Sequence, residues 1–175
     1  HVSGFDPNPG YTDLATVPAS YHPAFVGQHL LEKLGIKERV PEPRLILGNA
    51  VQAWAKKLLL QPPYVAFGIG ASLPYKIWPP QNFALIANYL MSSGFKILLL
   101  GGPKERPLAD KIKETLSAPA IDMVGSTKVD EMAALISRCA FFVGNDSAPK
   151  HLASSRSPFL AISRKALRAI AFLPR

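Results

Sequence analysis

The feature that most constrains the fold of this chain is a regular alternation of short apolar runs with amphipathic stretches, beginning at Tyr64. Apolar runs bounded by glycine or proline, such as Phe95 to Leu100, are typical of strands buried on both faces of a sheet. Strands that alternate with helices indicate βαβ units and a parallel sheet. We therefore predict an α/β fold with a Rossmann-like parallel sheet and helices on both faces.

The same patterns predict where the elements lie. The predicted strands are 64–68, 95–100, 121–124, 141–143 and 159–162, and the predicted helices are 49–60, 80–91, 104–116, 129–138 and 147–155. A further helix is predicted from Pro23 to Leu34, with Gly35 as its stop. The run Pro41-Glu42-Pro43 breaks the chain and is the candidate interdomain linker. We assign residues 1–45 to a remnant of another domain with its linker, and 46–175 to the Rossmann-like domain.

Composition excludes several classes of protein. The chain has 175 residues, which suits one domain or one domain plus a remnant of another, and its 48% hydrophobic content is ample for a core. Its longest apolar runs are too short to cross a bilayer, and its start lacks the pattern of a signal peptide. The single cysteine, Cys139, fits a reducing cytoplasm and a core position. The four histidines are scattered, so the spacing indicates no metal site.

The formal net charge of +8 is unevenly distributed, since no acidic residue follows Asp146. A basic surface favours anionic partners such as phosphates, nucleic acid or an acidic membrane face. The alternative is that these basic residues pair with acidic residues in sequence that is not part of this chain. The charge alone leaves both interpretations open.

Four strand-to-helix loops meet at one edge of the predicted sheet, because right-handed crossovers place them there. The first, 68–79, carries Ser72 and Lys76 among small residues, which allow close approach of an anion. It lacks the spacing of a P-loop, and Gly68-Ile69-Gly70 lacks the third glycine of the dinucleotide fingerprint. The second, Gly101-Gly102-Pro103-Lys104-Glu105, holds a carboxylate suited either to ribose hydroxyls or to a helix first turn.

The third loop contains Thr127 in Gly125-Ser126-Thr127, and the fourth contains Asp146 and Ser147, with His151 following on the next helix. Asp146 and Ser147 are both competent helix N-caps. The fourth loop is therefore either part of a ligand site or a capped turn whose His151 faces solvent. Ligands of open α/β sheets bind at this edge.

Four segments together resemble the donor-binding half of the bacterial heptosyltransferase family. They are GASLPYKIWP (70–79), LLLGGPKE (98–105), VGSTKVDEMAALI (124–136) and VGNDSAPKHLA (143–153), in the family's order and spacing. The segment YHPAFVGQHLLEKLGI (21–36) is similar to the one that links the family's two domains. Members are GT-B glycosyltransferases, with two facing Rossmann-like domains, that act on lipopolysaccharide core. The resemblance implies that this chain is the C-terminal half of such an enzyme, and that 1–45 retains part of the acceptor domain and the linker.

The resemblance also implies roles for particular residues. The nucleotide part of a sugar nucleotide would be bound by Ser72 and Lys76 at the diphosphate, by Glu105 at the ribose and by Thr127 near the base. The sugar and its phosphates would face Asp146, Ser147 and Ala148, with His151 supporting their loop. The general base for the acceptor hydroxyl would belong to the N-terminal domain.

The implied partners are an ADP-sugar donor, with heptose favoured, and a lipopolysaccharide inner-core acceptor. The resemblance implies no cofactor, no metal and no nucleic-acid partner. It places the enzyme in the cytoplasm, in peripheral contact with the anionic inner face of the cytoplasmic membrane, which the basic segment Arg164 to Arg175 would favour. Two alternatives remain, namely a nucleotide-binding module without transferase activity and a Rossmann-type oxidoreductase.

The chain departs from the family's pattern at several positions. Ala148 and Arg156 stand where glycine or another small residue is usual. The sequence lacks the glycine-rich loop expected after Ile162. The pattern of 163–175 predicts instead either a basic amphipathic helix or a disordered tail. The methyl group of Ala148 leaves less room for close approach of a ligand than glycine does.

Overall fold

The computed structural model describes residues 31–32, 35–36, 45–61 and 63–154, together with the backbone of the strand at 159–162. The chain divides into two compact units, His1–Pro43 and Arg44–Arg175. In the first unit, Leu31 and Glu32 are helical, and Gly35 has the left-handed φ of 79° that ends a helix. The assignment of 1–45 to an acceptor-domain remnant stays a prediction, and the predicted linker and the segment 163–175 lie outside the described residues.

The second unit alternates strands and helices as predicted. Its helices are α1 (Asn49–Leu58), α2 (Pro80–Ser92), α3 (Arg106–Lys113), α4 (Val129–Ile136) and α5 (Ala148–Ser154). Its strands are β1 (Tyr64–Gly68), β2 (Lys96–Leu100), β3 (Ile121–Asp122), β4 (Phe141–Asn145) and β5 (Phe159–Ile162). Short 3-10 turns at Pro74–Lys76 and Pro103–Glu105 lie in the first two strand-to-helix loops.

The five strands form one parallel sheet in the order β3-β2-β1-β4-β5. From β1 the chain runs outward through β2 to β3, and then returns to the other side of β1 with β4. The strand order therefore reverses between β1 and β4, where Gly68 lies beside Gly144 in register. In open α/β sheets, ligands bind in the crevice at such a switch point.

Alternate residues of the central strands supply a core on each face of the sheet. On one face Val65 and Phe67 of β1 pack with α2 and α3, and on the other Ala66 packs with α1, α4 and α5. The predicted parallel sheet with helices on both faces is confirmed. Cys139 lies in the second core, where its thiol donates to the Leu135 carbonyl and burial raises its pKa to about 12.

The observed elements differ from the predicted ones mainly at their ends. Strand β4 continues through Gly144 and Asn145, because both pair with β5 and Gly144 also pairs with β1. A Cβ at Gly144 would stand 2.6 Å from the Phe142 ring and 2.8 Å from the Gly68 carbonyl oxygen, so any side chain there would force these neighbours to shift. Strand β3 is only two residues long and pairs with β2 alone, at the edge of the sheet.

Candidate functional site

Two charged loops meet at the switch point of the sheet. Lys76, in the loop after β1, lies with its Nζ 3.5 Å from Oδ2 of Asp146, which directly follows β4. Lys150, in the first turn of α5, binds the other carboxylate oxygen of Asp146. The side chains of Lys76 and Asp146 are 34% and 45% exposed, so both are open to a ligand. Two lysines and one carboxylate give this crevice a net positive charge, which favours the binding of an anion.

The charge state of Asp146 follows from these contacts. The hydrogen bond from Lys150 lowers the pKa of Asp146, and the charge of Lys76 lowers it further against the opposing effect of burial. The carboxylate is therefore ionised at neutral pH. A group with a lowered pKa is a poor proton acceptor, so Asp146 is suited to hydrogen bonding and electrostatics rather than to general-base catalysis.

A fully buried amide joins the same two loops. Asn145, the last residue of β4, is 0% exposed. Its Oδ1 accepts from the backbone N–H of Trp78 at 3.0 Å, and its Nδ2 donates to the carbonyl oxygens of Ile69 at 2.8 Å and Gly70 at 3.4 Å. Both ends of the loop that carries Lys76 are thus bound by one side chain from β4.

Glu105 lies in a recess formed by three glycines. A Cβ on Gly70 would stand 2.8 Å from Cδ of Glu105, and one on Gly102 would stand 3.0 Å from Oε2. A Cβ on Gly101 would stand 3.1 Å from the Glu105 Cβ. The absence of side chains at these positions makes room for the carboxylate beside the first loop. A groove of about 290 Å³ opens next to it, lined in part by Ile77, Lys104 and Leu108.

The loop after β3 is held by an ionic cluster around Asp122. This carboxylate binds Arg106 at 2.6 Å and Lys113 at 2.7 Å, and it accepts from the Val124 N–H at 3.1 Å. Thr127, in the same loop, has a buried hydroxyl with no hydrogen-bond partner among the described residues. The cluster fixes the start of α3 to the loop that carries Thr127.

Of the residues predicted for the site, the structure brings Lys76 and Asp146 into direct contact and places Glu105 against the loop of Lys76. Ser72 is exposed in that loop, whereas Ser147 donates to the Asn145 carbonyl at 3.4 Å. Three other predicted residues lie elsewhere along the same edge: Thr127 after β3, and Ala148 and His151, both exposed, on α5.

Asn145 is the residue of this site that the sequence analysis did not select. The sequence feature that could have identified Asn145 is the position of an amide side chain between an apolar strand and Asp146. An amide there can be a turn residue as well as a buried one. Asp146 and Ser147 stay candidate N-caps of α5 on residue type, and the side-chain contacts that the structure gives them are to two lysines and to a strand carbonyl.

Among the described residues, no helix is long and apolar enough to cross a membrane. Within the same part of the chain, no group of three or more histidine, cysteine, aspartate or glutamate side chains could hold a metal ion.

Comparison with known proteins finds the same fold and sequence pattern in one family. Lipooligosaccharide heptosyltransferase 2 of Haemophilus influenzae is 31% identical over 111 residues, which are 60% of this chain and 32% of that protein. The crystal structure of the glycosyl transferase family 9 from Veillonella parvula superposes with a TM-score of 0.75 at 25% identity, over 81% of this chain and 44% of that one. The structure of E. coli ADP-heptose lps heptosyltransferase II superposes with a TM-score of 0.61 at 25% identity, over 70% and 41%.

The chain spans about a third of the length of the curated relatives it matches. Its own residues 24–162 match the sequence profile of glycosyltransferase family 9 (heptosyltransferase). This match covers the strands, the four loops of the sheet edge and the segment before them. The chain therefore belongs to glycosyltransferase family 9.

Proposed function

We propose that the carboxyl edge of this sheet binds an ADP-heptose donor, and that the whole protein transfers the heptose to a lipopolysaccharide inner-core acceptor. The observation that carries the proposal is the placement of Lys76 opposite Asp146 at the switch point of a family 9 fold. The relatives support the choice of substrates, since their names describe heptosyltransferases of lipooligosaccharide and lipopolysaccharide, and one names ADP-heptose.

The chemistry of the transfer matches the charges of the crevice. When the acceptor hydroxyl attacks the anomeric carbon, the bond to ADP breaks and negative charge grows on the leaving diphosphate. Lys76 would stabilise that charge, with Ser72 beside it in the same loop. The pair between Lys76 and Asp146 is partly exposed and 3.5 Å long, so little free energy opposes its rearrangement around a diphosphate.

The proposal also assigns roles to the other residues that the resemblance implies for the site. Glu105 would accept hydrogen bonds from ribose hydroxyls on the side where the groove opens. Thr127, whose buried hydroxyl has no hydrogen-bond partner among the described residues, would lie near the base. In this proposal Asp146, Ser147 and Ala148 contact the sugar and its phosphates, and His151 supports their loop. We place the general base in the N-terminal domain of the whole protein, as the resemblance to the family implies.

Binding of ADP, measured by calorimetry on the purified chain, tests the donor site. Replacing Lys76 with methionine keeps the length of the side chain and removes its charge, so we expect ADP binding to weaken by about 1.5–3 kcal/mol. Lys96→Met is the matched control, because Lys96 begins β2 at the opposite edge and bonds Gln61 there at 2.9 Å. An unchanged ADP dissociation constant in Lys76→Met would refute the assignment.

Transfer is tested separately, with ADP-heptose and a deacylated core acceptor analysed by mass spectrometry. We expect this chain to bind ADP without transferring heptose, and the chain together with the N-terminal domain of the family to transfer it, because positioning of acceptor and base supplies several kcal/mol of the barrier. Binding without transfer in both preparations would favour a nucleotide-binding module. Preference for NAD over ADP would favour an oxidoreductase.

A further inference from the structure

The loop that carries Lys76 is anchored at both ends, while its centre is exposed. Ile69, just after β1, is fully buried, and Trp78 is 5% exposed with its ring packed edge-on against Phe83 at 5.1 Å between centroids. Between these anchors the chain from Ser72 to Tyr75 is exposed. The direction in which Lys76 points therefore depends on how the two anchors are held.

Asn145 holds both anchors at once. Its acceptor oxygen binds the N–H of Trp78, two residues after Lys76, and its amide nitrogen binds the carbonyl of Ile69. Both bonds are buried. Loss of either would leave a buried backbone group without a hydrogen-bond partner, which destabilises the fold more than loss of an exposed hydrogen bond does. A single side chain thus fixes the distance between the two ends of the loop.

The same residue adjoins Asp146 in the chain. Since Asn145 is paired within the sheet with Ile162 of β5, its backbone is fixed with the strand. The loop of Lys76 is thereby bound to the residue immediately before the carboxylate that Lys76 contacts. No other residue type offers both a donor and an acceptor in this flat shape at the length of asparagine.

We propose that Asn145 is a positioning residue, which sets the geometry of Lys76 towards the diphosphate of the donor without touching the donor itself. This inference rests on the proposed function, because it concerns affinity for the nucleotide. It predicts that Asn145 contributes to ADP binding mainly through Lys76.

A double-mutant cycle on ADP affinity measures that dependence. We expect Asn145→Ser to weaken ADP binding about tenfold when Lys76 is present, and less than about twofold in the Lys76→Met background. A merely structural role would change stability equally in both backgrounds and would leave no coupling in the binding constants. If the serine variant is unfolded at the assay temperature, Asn145→Gln replaces it, because glutamine keeps both the amide donor and the acceptor but moves them one methylene further from the strand.

Asn88 provides a matched control. Its amide also joins two segments, donating to the Thr115 carbonyl at 2.9 Å and accepting from the Ser117 N–H at 2.7 Å, away from the candidate site. Asn88→Ser should lower thermal stability and leave ADP affinity unchanged. Equal losses of affinity for Asn145→Ser in both Lys76 backgrounds, or none, would overturn the positioning role, whereas a wild-type chain that does not bind ADP would overturn the proposed function itself.

Discussion

Asp122 gives a prediction whose size follows from its surroundings. Its side chain is 18% exposed and lies at the centre of the cluster with Arg106 and Lys113. Burial alone would raise the pKa of Asp122, but the hydrogen bonds from Arg106, Lys113 and the Val124 N–H outweigh it and hold the pKa at about 2, against an ordinary 3.8. At about 1.4 kcal/mol per pKa unit, the ionised carboxylate stabilises the folded chain by about 2 kcal/mol at neutral pH.

The sign of the pH dependence follows from the direction of the shift. Because the folded pKa is the lower one, the stabilisation is fully present above the unfolded value of 3.8 and is lost as the pH falls through about 2. We therefore expect Asp122→Asn to reduce the free energy of unfolding by about 2 kcal/mol at neutral pH. The difference from the wild type should shrink as the pH falls below the unfolded value.

Urea unfolding followed by circular dichroism, from neutral pH down to about pH 3, measures this difference. Asp110→Asn is the matched control, since Asp110 also bonds Lys113, at 2.9 Å, but is 51% exposed. An exposed ion pair contributes little, so the control should remain close to the wild type throughout. The reasoning would be refuted if the loss of unfolding free energy in Asp122→Asn stayed constant with pH, or if Asp110→Asn lost as much.

Two glycine substitutions test the packing of the sheet edge. Gly70→Ala places a Cβ 2.8 Å from the carboxyl carbon of Glu105, so it should displace that carboxylate and weaken ADP binding, whereas Gly48→Ala, which meets nothing within 4 Å, should bind as the wild type does in calorimetry. Gly144→Ala places a Cβ 2.6 Å from the Phe142 ring and should cost about 1–3 kcal/mol of stability in urea unfolding. Unaltered ADP affinity in the first case, or unaltered stability in the second, would contradict the packing described.

The order and type of the elements could be predicted from the sequence because each strand is an apolar run that ends near a turn residue. The run 64–68 is an example, since its predicted and observed limits coincide. The end of β4 could not be predicted in this way. Glycine is a common strand breaker, and only the register of Gly144 with neighbours on both sides of it keeps the strand extended there.

The proximity of the candidate site residues was predictable to the extent that these residues follow strands. Lys76 and Asp146 lie in loops that the predicted topology brings to one edge, and the structure places their side chains in contact there. Their roles in binding stay a prediction. The role of Asn145 was not accessible, because the partners of a buried amide are backbone groups far away in the chain, which no local pattern encodes. The glycines around Glu105 were recognised as loop residues, but the close fit that requires them depends on how two loops pack.

The reversal of strand order at β1 has a consequence for how the molecule acquires its site. Strands β1, β2 and β3 pair with their neighbours in chain order, whereas β4 must come back past them to reach β1. A chain that has formed only the first three strands holds Lys76 without its carboxylate partner and leaves the Trp78 anchor without Asn145. If this edge binds a nucleotide as proposed, the nucleotide would stabilise only the state in which β4 has paired with β1. Binding of the nucleotide would then show that this pairing has formed.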